Sequence, residues 1–486
     1  MNHRRADIHA PTRREFLAMS MAASAVAILP FSLSAQEPTG PVRGNLSIDA
    51  STALYTLPHN FTGLSYESAQ VANPSFFSAS NKTLIALFRK LSPQGVLRLG
   101  GGSSEYTTYS EQPPTTPPSF ETFGPDTSKT VKSGTITSAL ALRNLRAFLD
   151  AAGWSCLYGL NLGQGTKANA VAEAEAAHRI LGPRLLALQI GNEPDSFRNR
   201  FRPPTYGPQD FLREWLDFHA AILARIPHAR FAGPDISNKL SFLTAFAQEA
   251  TKHPDIVLLT GHYYAMGPAG SPGATLDNLL SADPRHATLK SRDVPVIQAA
   301  MQTAHLPFRI SEMNSCWNGG EPGVSNTFAS ALWCADAMLR FASLGFSGVN
   351  LHGGGNGIYS PIVGSPITGF SRRPEFFGMM LAQHFAGATL LRTKLQCDSD
   401  RVTAYAARRP GTERRANLIA VINKTTSSMS LTLEDQLLEG HPWHALQLSA
   451  PSLDSQTDPT FAPANIRPSN NGLLDIPPHS ALLLTG

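Results

Sequence analysis

The sequence predicts an α/β fold: a (β/α)8 TIM barrel with a C-terminal antiparallel β-sandwich-like domain. Between Phe61 and Phe385, short apolar runs alternate with stretches of helical spacing, and the alternation recurs eight times. Those runs stop at Gly, Asn, Asp or Glu, as buried strands do where they open onto loops. Beyond Phe385 the pattern changes to two-residue alternation broken by polar turns. An open doubly wound sheet is the alternative for the first region, although it usually needs fewer repeats.

Residues 1–35 read as an export signal outside the fold. "TRREFLAMS" carries twin arginines, Arg13 and Arg14, followed by Phe16 and Leu17, an apolar stretch to Leu33, and small residues Ser34 and Ala35. The stretch is short and weakly hydrophobic for a membrane span. It resembles a twin-arginine signal, so the expected partner is the twin-arginine export machinery and the destination the bacterial periplasm or beyond, with no stable membrane insertion. An ordinary secretory signal or an uncleaved anchor is the other reading.

Gly44–Leu57 reads as strand, and residues 44–60 are expected to join the C-terminal module. The barrel is expected over 61–390. Its strand candidates are Phe61–Tyr66, Gly95–Leu99, Trp154–Leu160, Leu185–Ile190, Arg230–Gly233, Ile256–Tyr263, Phe308–Ser311 and Ser347–Leu351. Helices are expected at Lys82–Leu91, Ser138–Ala152, Ala168–Leu181, Pro208–Arg225, Leu240–Thr251, Val294–Thr303, Asn326–Leu344 and Glu375–Phe385. The Pro/Thr-rich insertion Pro113–Thr130 suits a loop over the barrel mouth. Residues 391–486 form the β-domain, with strands in "RVTAYAARR", "ANLIAVINK", "SMSLTLE", "WHALQLSA" and "HSALLLTG".

The 486 residues are 42% hydrophobic and 16% charged, with a net charge of +4, which is a globular composition. No Lys/Arg run with interleaved aromatics occurs, so nucleic acid is not an expected partner. The four cysteines form no C-x-x-C pair and are expected as mostly buried free thiols. No H-E-x-x-H, close His cluster, G-K-[ST] or G-x-S-x-G occurs, so neither metal nor cofactor is expected.

The chemistry lies at strand ends. "LLALQIGNEPDSF" carries Glu193 just past strand 4, and "PFRISEMNSCW" ends strand 7 on Glu312. In a barrel these positions face each other across the mouth. A buried charge there is costly unless paired, hydrated or used. Two opposed carboxylates are the equipment for glycoside hydrolysis, provided their surroundings push the two pKa values apart.

"IGNEPD" and "ISEMNS", together with "GPD" at Gly233–Asp235, "GHYY" at Gly261–Tyr264, "NGGEPGVSNTFASALW" at Asn318–Trp333 and "HGGGNGIYSP" at His352–Pro361, resemble glycoside hydrolase family 79 of clan A, which holds β-glucuronidases and heparanase. The resemblance implies an exo-acting retaining hydrolase with a glycoside or oligosaccharide substrate. Glu193 would be the acid/base and Glu312 the nucleophile. Asn192 would bond the sugar 2-hydroxyl, Tyr264 would steady the nucleophile, and Glu67 and Asn238 would reach the substrate. Gly354 in the glycine loop, Tyr359, and the backbone of Asn318 and Gly319 would hold a uronic acid carboxylate. Trp317 departs from the pattern, because relatives commonly carry tyrosine five residues after the nucleophile. That substitution opens a second reading, the same mechanism on a neutral sugar. A third is a carbohydrate-binding protein on an inactive barrel.

Overall fold

Eight apolar runs become eight parallel strands that close into a barrel. The computed structural model describes residues 41–115, 134–282, 289–353, 356–411, 415–434, 443–466, 469 and 472–486. The export signal and residues 116–133, which take in most of the Pro/Thr-rich insertion, lie outside the described residues. The barrel strands are Thr62–Glu67 (strand 1), Val96–Gly100 (strand 2), Ser155–Leu160 (strand 3), Leu185–Ile190 (strand 4), Phe231–Ile236 (strand 5), Ile256–Tyr264 (strand 6), Phe308–Asn314 (strand 7) and Gly348–His352 (strand 8). Strand 8 closes the ring on strand 1, from Val349 opposite Thr62 to His352 opposite Ser65.

The strands are buried on both faces, which is why they read as continuous apolar runs. Most helices between them bury one stripe, whereas Phe328–Ser343 is buried nearly all round. Lys82–Leu91 turns Leu84, Ile85, Phe88 and Leu91 inward. Ala139–Ala152 begins where the Ser138 side chain accepts from the Ala141 N–H, and it stops at Gly153 in the left-handed region. Strand 7 differs from expectation. It runs two residues beyond Glu312 to Asn314, because its polar end is paired with strand 6 and buried rather than released as a loop.

Two layers fill the strand region. Val96, Leu157, Ala187, Ala232 and Leu258, one from each of strands 2 to 6, form a small apolar cluster near the strand starts. Arg98 and Gln189, each two residues further along its strand, carry the polar layer above it, so the barrel is packed and not hollow.

Among the described residues the C-terminal module is a nine-stranded sheet. Val42–Thr56 pairs antiparallel with Thr389–Cys397. On its other edge Val42–Leu46 runs parallel to Met429–Leu433, an exception in an otherwise antiparallel sheet. The sheet curls over a core in which Val42, Leu46, Met429 and Leu431 meet Ile419, Val421, Leu482 and Leu484, as in a sandwich. It is pinned to the barrel helix Phe328–Ser343 through Asp336, which accepts from Lys424 Nζ at 2.6 Å and from Tyr405 and Thr403 hydroxyls at 2.7 Å. All four cysteines are free thiols, three buried and Cys397 partly so. Among the described residues no helix is long and apolar enough to cross a membrane.

Candidate active site

The strand ends bring Glu193 and Glu312 together, with one carboxylate oxygen of each within 4.8 Å of the other. Glu193 adopts φ 50°, a left-handed conformation that a side chain occupies at some cost. Its N–H is fixed on the Asp235 carbonyl at 2.9 Å. Glu312 is gripped at both oxygens: the Tyr264 hydroxyl donates to Oε1 at 2.7 Å and Arg98 Nη1 to Oε2 at 2.6 Å.

Arg98 organises this centre from strand 2. Its Nη2 donates to Asn192 Oδ1 at 2.6 Å and to Asp235 Oδ2 at 2.5 Å, and its Nη1 also reaches Ser65 Oγ at 3.2 Å. The run "RLGGGSS" makes room for it. A Cβ on Gly100 would lie 2.4 Å from the Arg98 Cζ, and one on Gly101 would strike the Glu67 carboxylate at 2.5 Å.

The two carboxyls are driven apart in acidity. Burial alone would raise Glu312, but the neighbouring His352, His262 and Arg98 and the Tyr264 hydrogen bond outweigh it and hold the carboxyl at about 2. Burial raises Glu193 above the usual range, the hydrogen bond and charge of His262 partly offset this, and the charges of Glu312 and Asp195 add to it. The Glu193 side chain keeps 29% of its surface in solvent against 8% for Glu312, so hydration tempers the rise. His262 Nδ1 bonds Glu193 Oε1 at 3.0 Å, and its Nε2 lies 3.2 Å from Asp235 Oδ1. Burial would lower its pKa, yet the charges of Glu312 and Asp235 lift it to about 10, which makes it an imidazolium at neutral pH.

Folding assembles sets that sequence spacing hid. Glu193, His262 and Glu312 each present a ligating atom within 4.8 Å, as do His219, His253 and Asp255 elsewhere. This corrects the expectation of no close histidine grouping. In the first set His262 Nδ1 already pairs with Glu193 Oε1 at 3.0 Å, and Tyr264 and Arg98 hold the two oxygens of Glu312. In the second, His219 Nε2 and Asp255 already pair at 2.5 Å.

Other expected residues divide between two walls. Glu67 is buried, with Oε2 accepting from Ser103 N–H at 2.8 Å and Oγ at 2.5 Å, while His352 Nε2 stands 3.5 Å from Oε1. Tyr359 is buried, its ring 6.4 Å from that of Tyr264 and 5.9 Å from that of His352. Its N–H reaches the carbonyl of Gly319 at 3.2 Å, joining the two loops read as carboxylate binders. Gly354 lies outside the described residues. Asn318, with φ 62°, is exposed. Asn238 and Trp317 line a groove of about 1150 Å³ that opens beside Glu193.

Arg98, Asp235, His262 and Glu105 escaped the sequence reading. The signal for Arg98 was present: a lone charge inside the apolar run "GVLRLG" poses the same question as Glu193. Glu105, fully buried, accepts from the Leu162 N–H at 3.0 Å and from the N–H groups of Gly163 and Asn192. Burial pushes its carboxyl up to about 7 against those three donors. It therefore clamps the loop that carries Asn192 and Glu193. Glu105→Ala is expected to reduce kcat/KM about tenfold or more, because a small misplacement of a reacting group is enough to do so. Steady-state kinetics beside a melting curve check this, and unchanged kinetics in a folded variant would remove the clamp.

No family model matches the chain. It is 26% identical over 472 residues to a β-glucuronidase of Aspergillus niger, spanning 89% of this chain and 84% of the relative. A β-glucuronidase of Neurospora crassa is 30% identical over 263 residues, spanning 47% of this chain and 46% of that one. The crystal structure of a 4-O-α-L-rhamnosyl-β-D-glucuronidase of Fusarium oxysporum superposes with a TM-score of 0.69 at 19% identity, over 91% of this chain and all of that one, and shares the fold. The β-glucuronidase relatives, the barrel and its pair of strand-end carboxylates support the resemblance to glycoside hydrolase family 79, and the chain is a glycosidase.

Proposed function

We propose a retaining β-glucuronidase that works by double displacement, with Glu193 as acid/base and Glu312 as nucleophile. The observation that carries this is the approach of their carboxylate oxygens to within 4.8 Å. Retaining glycosidases hold the two carboxyl groups about 5–5.5 Å apart, whereas inverting ones need about 6.5–9.5 Å for an intervening water.

Protonated Glu193 gives its proton to the glycosidic oxygen as Glu312 attacks the anomeric carbon. The bond to the leaving group breaks and a glycosyl ester forms on Glu312. Arg98 and Tyr264 keep Glu312 ionised and aimed beforehand. Esterification removes the negative charge that helped to raise Glu193, so its carboxyl becomes acidic enough to remain a carboxylate. Glu193 then takes a proton from water, the water oxygen attacks the anomeric carbon, and the sugar leaves with its original configuration. His262 occupies Oε1 of Glu193 throughout, which leaves Oε2 to carry the proton.

The sugar is read from the Aspergillus niger relative and from buried Tyr359 beside the Gly319 loop. The neutral-sugar reading rested on Trp317, which faces the groove beside Glu193. The test is kcat/KM for an aryl β-D-glucuronide against the matching β-D-glucoside. A ratio above about 100 is expected, since a site built to bind a polar group rejects the analogue without it. A ratio below one would assign the enzyme to neutral sugars. NMR of the first product should show the β anomer, and an α anomer would exclude retention.

A further inference from the structure

We propose that Trp317 is the platform of a leaving-group subsite for a hydroxyl-rich saccharide chain, so that the substrate is an oligosaccharide carrying the scissile residue at its end. This rests on Glu193 as the proton donor, because the leaving group must lie on that residue's side.

The groove beginning at Glu193 holds about 1150 Å³. Pockets for drug-sized ligands run to about 300–1,000 Å³, so a small aryl or alkyl group would leave much of it unfilled. Trp317 keeps 46% of its surface exposed there, whereas the other four tryptophans are buried. Its loop is fixed: the Trp317 carbonyl accepts from the Ala269 N–H at 3.0 Å, and Trp317 bridges Pro268. An indole on a tethered backbone beside the reacting centre offers a broad apolar face with few rotatable bonds to order, suited to the C–H face of a pyranose.

The rest of the lining mixes apolar side chains, Leu240, Met266 and Val296, with short polar ones. Ser237, Asn238, Ser241, Thr244 and Asn278 supply hydroxyls and amides, which both donate and accept. Such groups match sugar hydroxyls. The two cations of the groove are engaged by the protein itself. Lys239 Nζ donates to the Asp195 carbonyl at 2.5 Å, and Arg292 Nε to Asp293 at 2.7 Å.

The experiment compares kcat/KM for a β-glucuronosyl trisaccharide, whose other two residues are neutral hexoses, with that for methyl β-glucuronide. Both have alkoxide leaving groups, but only the first reaches into the groove. The wild-type ratio is expected to favour the trisaccharide about tenfold or more, with the gain mainly in KM. Trp317→Ala should bring the ratio towards one, and Trp317→Tyr should keep most of it, because a flat ring remains. A wild-type ratio near one, or a ratio that Trp317→Ala leaves intact, would overturn the platform while leaving the hydrolase reading in place. Turnover of neither compound would overturn both.

Discussion

Glu312→Ala is expected to lower kcat on an aryl β-glucuronide by about 10⁴-fold or more, the scale on which loss of an attacking group acts. The fold should survive, because Arg98 retains Asp235 at 2.5 Å and Asn192 at 2.6 Å. Small anions can then enter the space the carboxylate leaves and attack from the same side. Added azide should restore turnover and yield the α-glycosyl azide, which identifies Glu312 by the stereochemistry of the product. A variant within tenfold of wild type, or one giving only the β-azide, would move the nucleophile elsewhere.

Arg98→Met is expected to cost stability and activity together. The guanidinium is fully buried and pairs with two carboxylates, Asp235 at 2.5 Å and Glu312 at 2.6 Å. Removing one partner of a buried pair leaves the others desolvated and uncompensated, at about 3–5 kcal/mol. Denaturant unfolding measures that. The kinetic signature follows from sign. Glu312 is depressed to about 2 from 4.5, so wild-type Glu312 stays ionised until the pH falls towards that value, and any stability owed to its ionisation is lost in the same window. Without Arg98 its pKa rises, and the acid limb of kcat/KM should move to higher pH by about one unit or more. Arg98→Lys restores a charge without the fork that reaches several acceptors at once, and should recover stability more than rate. A folded Arg98→Met variant with an unmoved acid limb would mean that Arg98 does not tune the nucleophile.

Strand 4 was predicted at Leu185–Ile190 and forms over those residues, because apolar content, length and the Gly-Asn-Glu-Pro stop agree there. Strand 5 was predicted at Arg230–Gly233 and runs instead over Phe231–Ile236, since Pro234 and Asp235 look like a turn until neighbouring strands bury them. The parallel seam between Val42–Leu46 and Met429–Leu433 had no local signal, because strand direction within a sheet is set by the chain's return path. Glu193 and Glu312 were legible for the same reason as strand 4. Each is a charge where an apolar run gives out, and the motifs around them reinforce it.

The sequence by itself determined the alternation of strand and helix, the change to a β-module after Phe385, and the two carboxylates on the strand ends. These are periodic or punctuating features, written in residues close together along the chain. The tertiary structure decided what surrounds those carboxylates. The Arg98 bond to Glu312 spans 214 residues, and the His262 bond to Glu193 spans 69. It also decided that Trp317 opens onto the groove beside Glu193 while Tyr359 is buried next to His352. Acidity and side-chain direction are sums over neighbours in space, and only the closed barrel brings those neighbours within range.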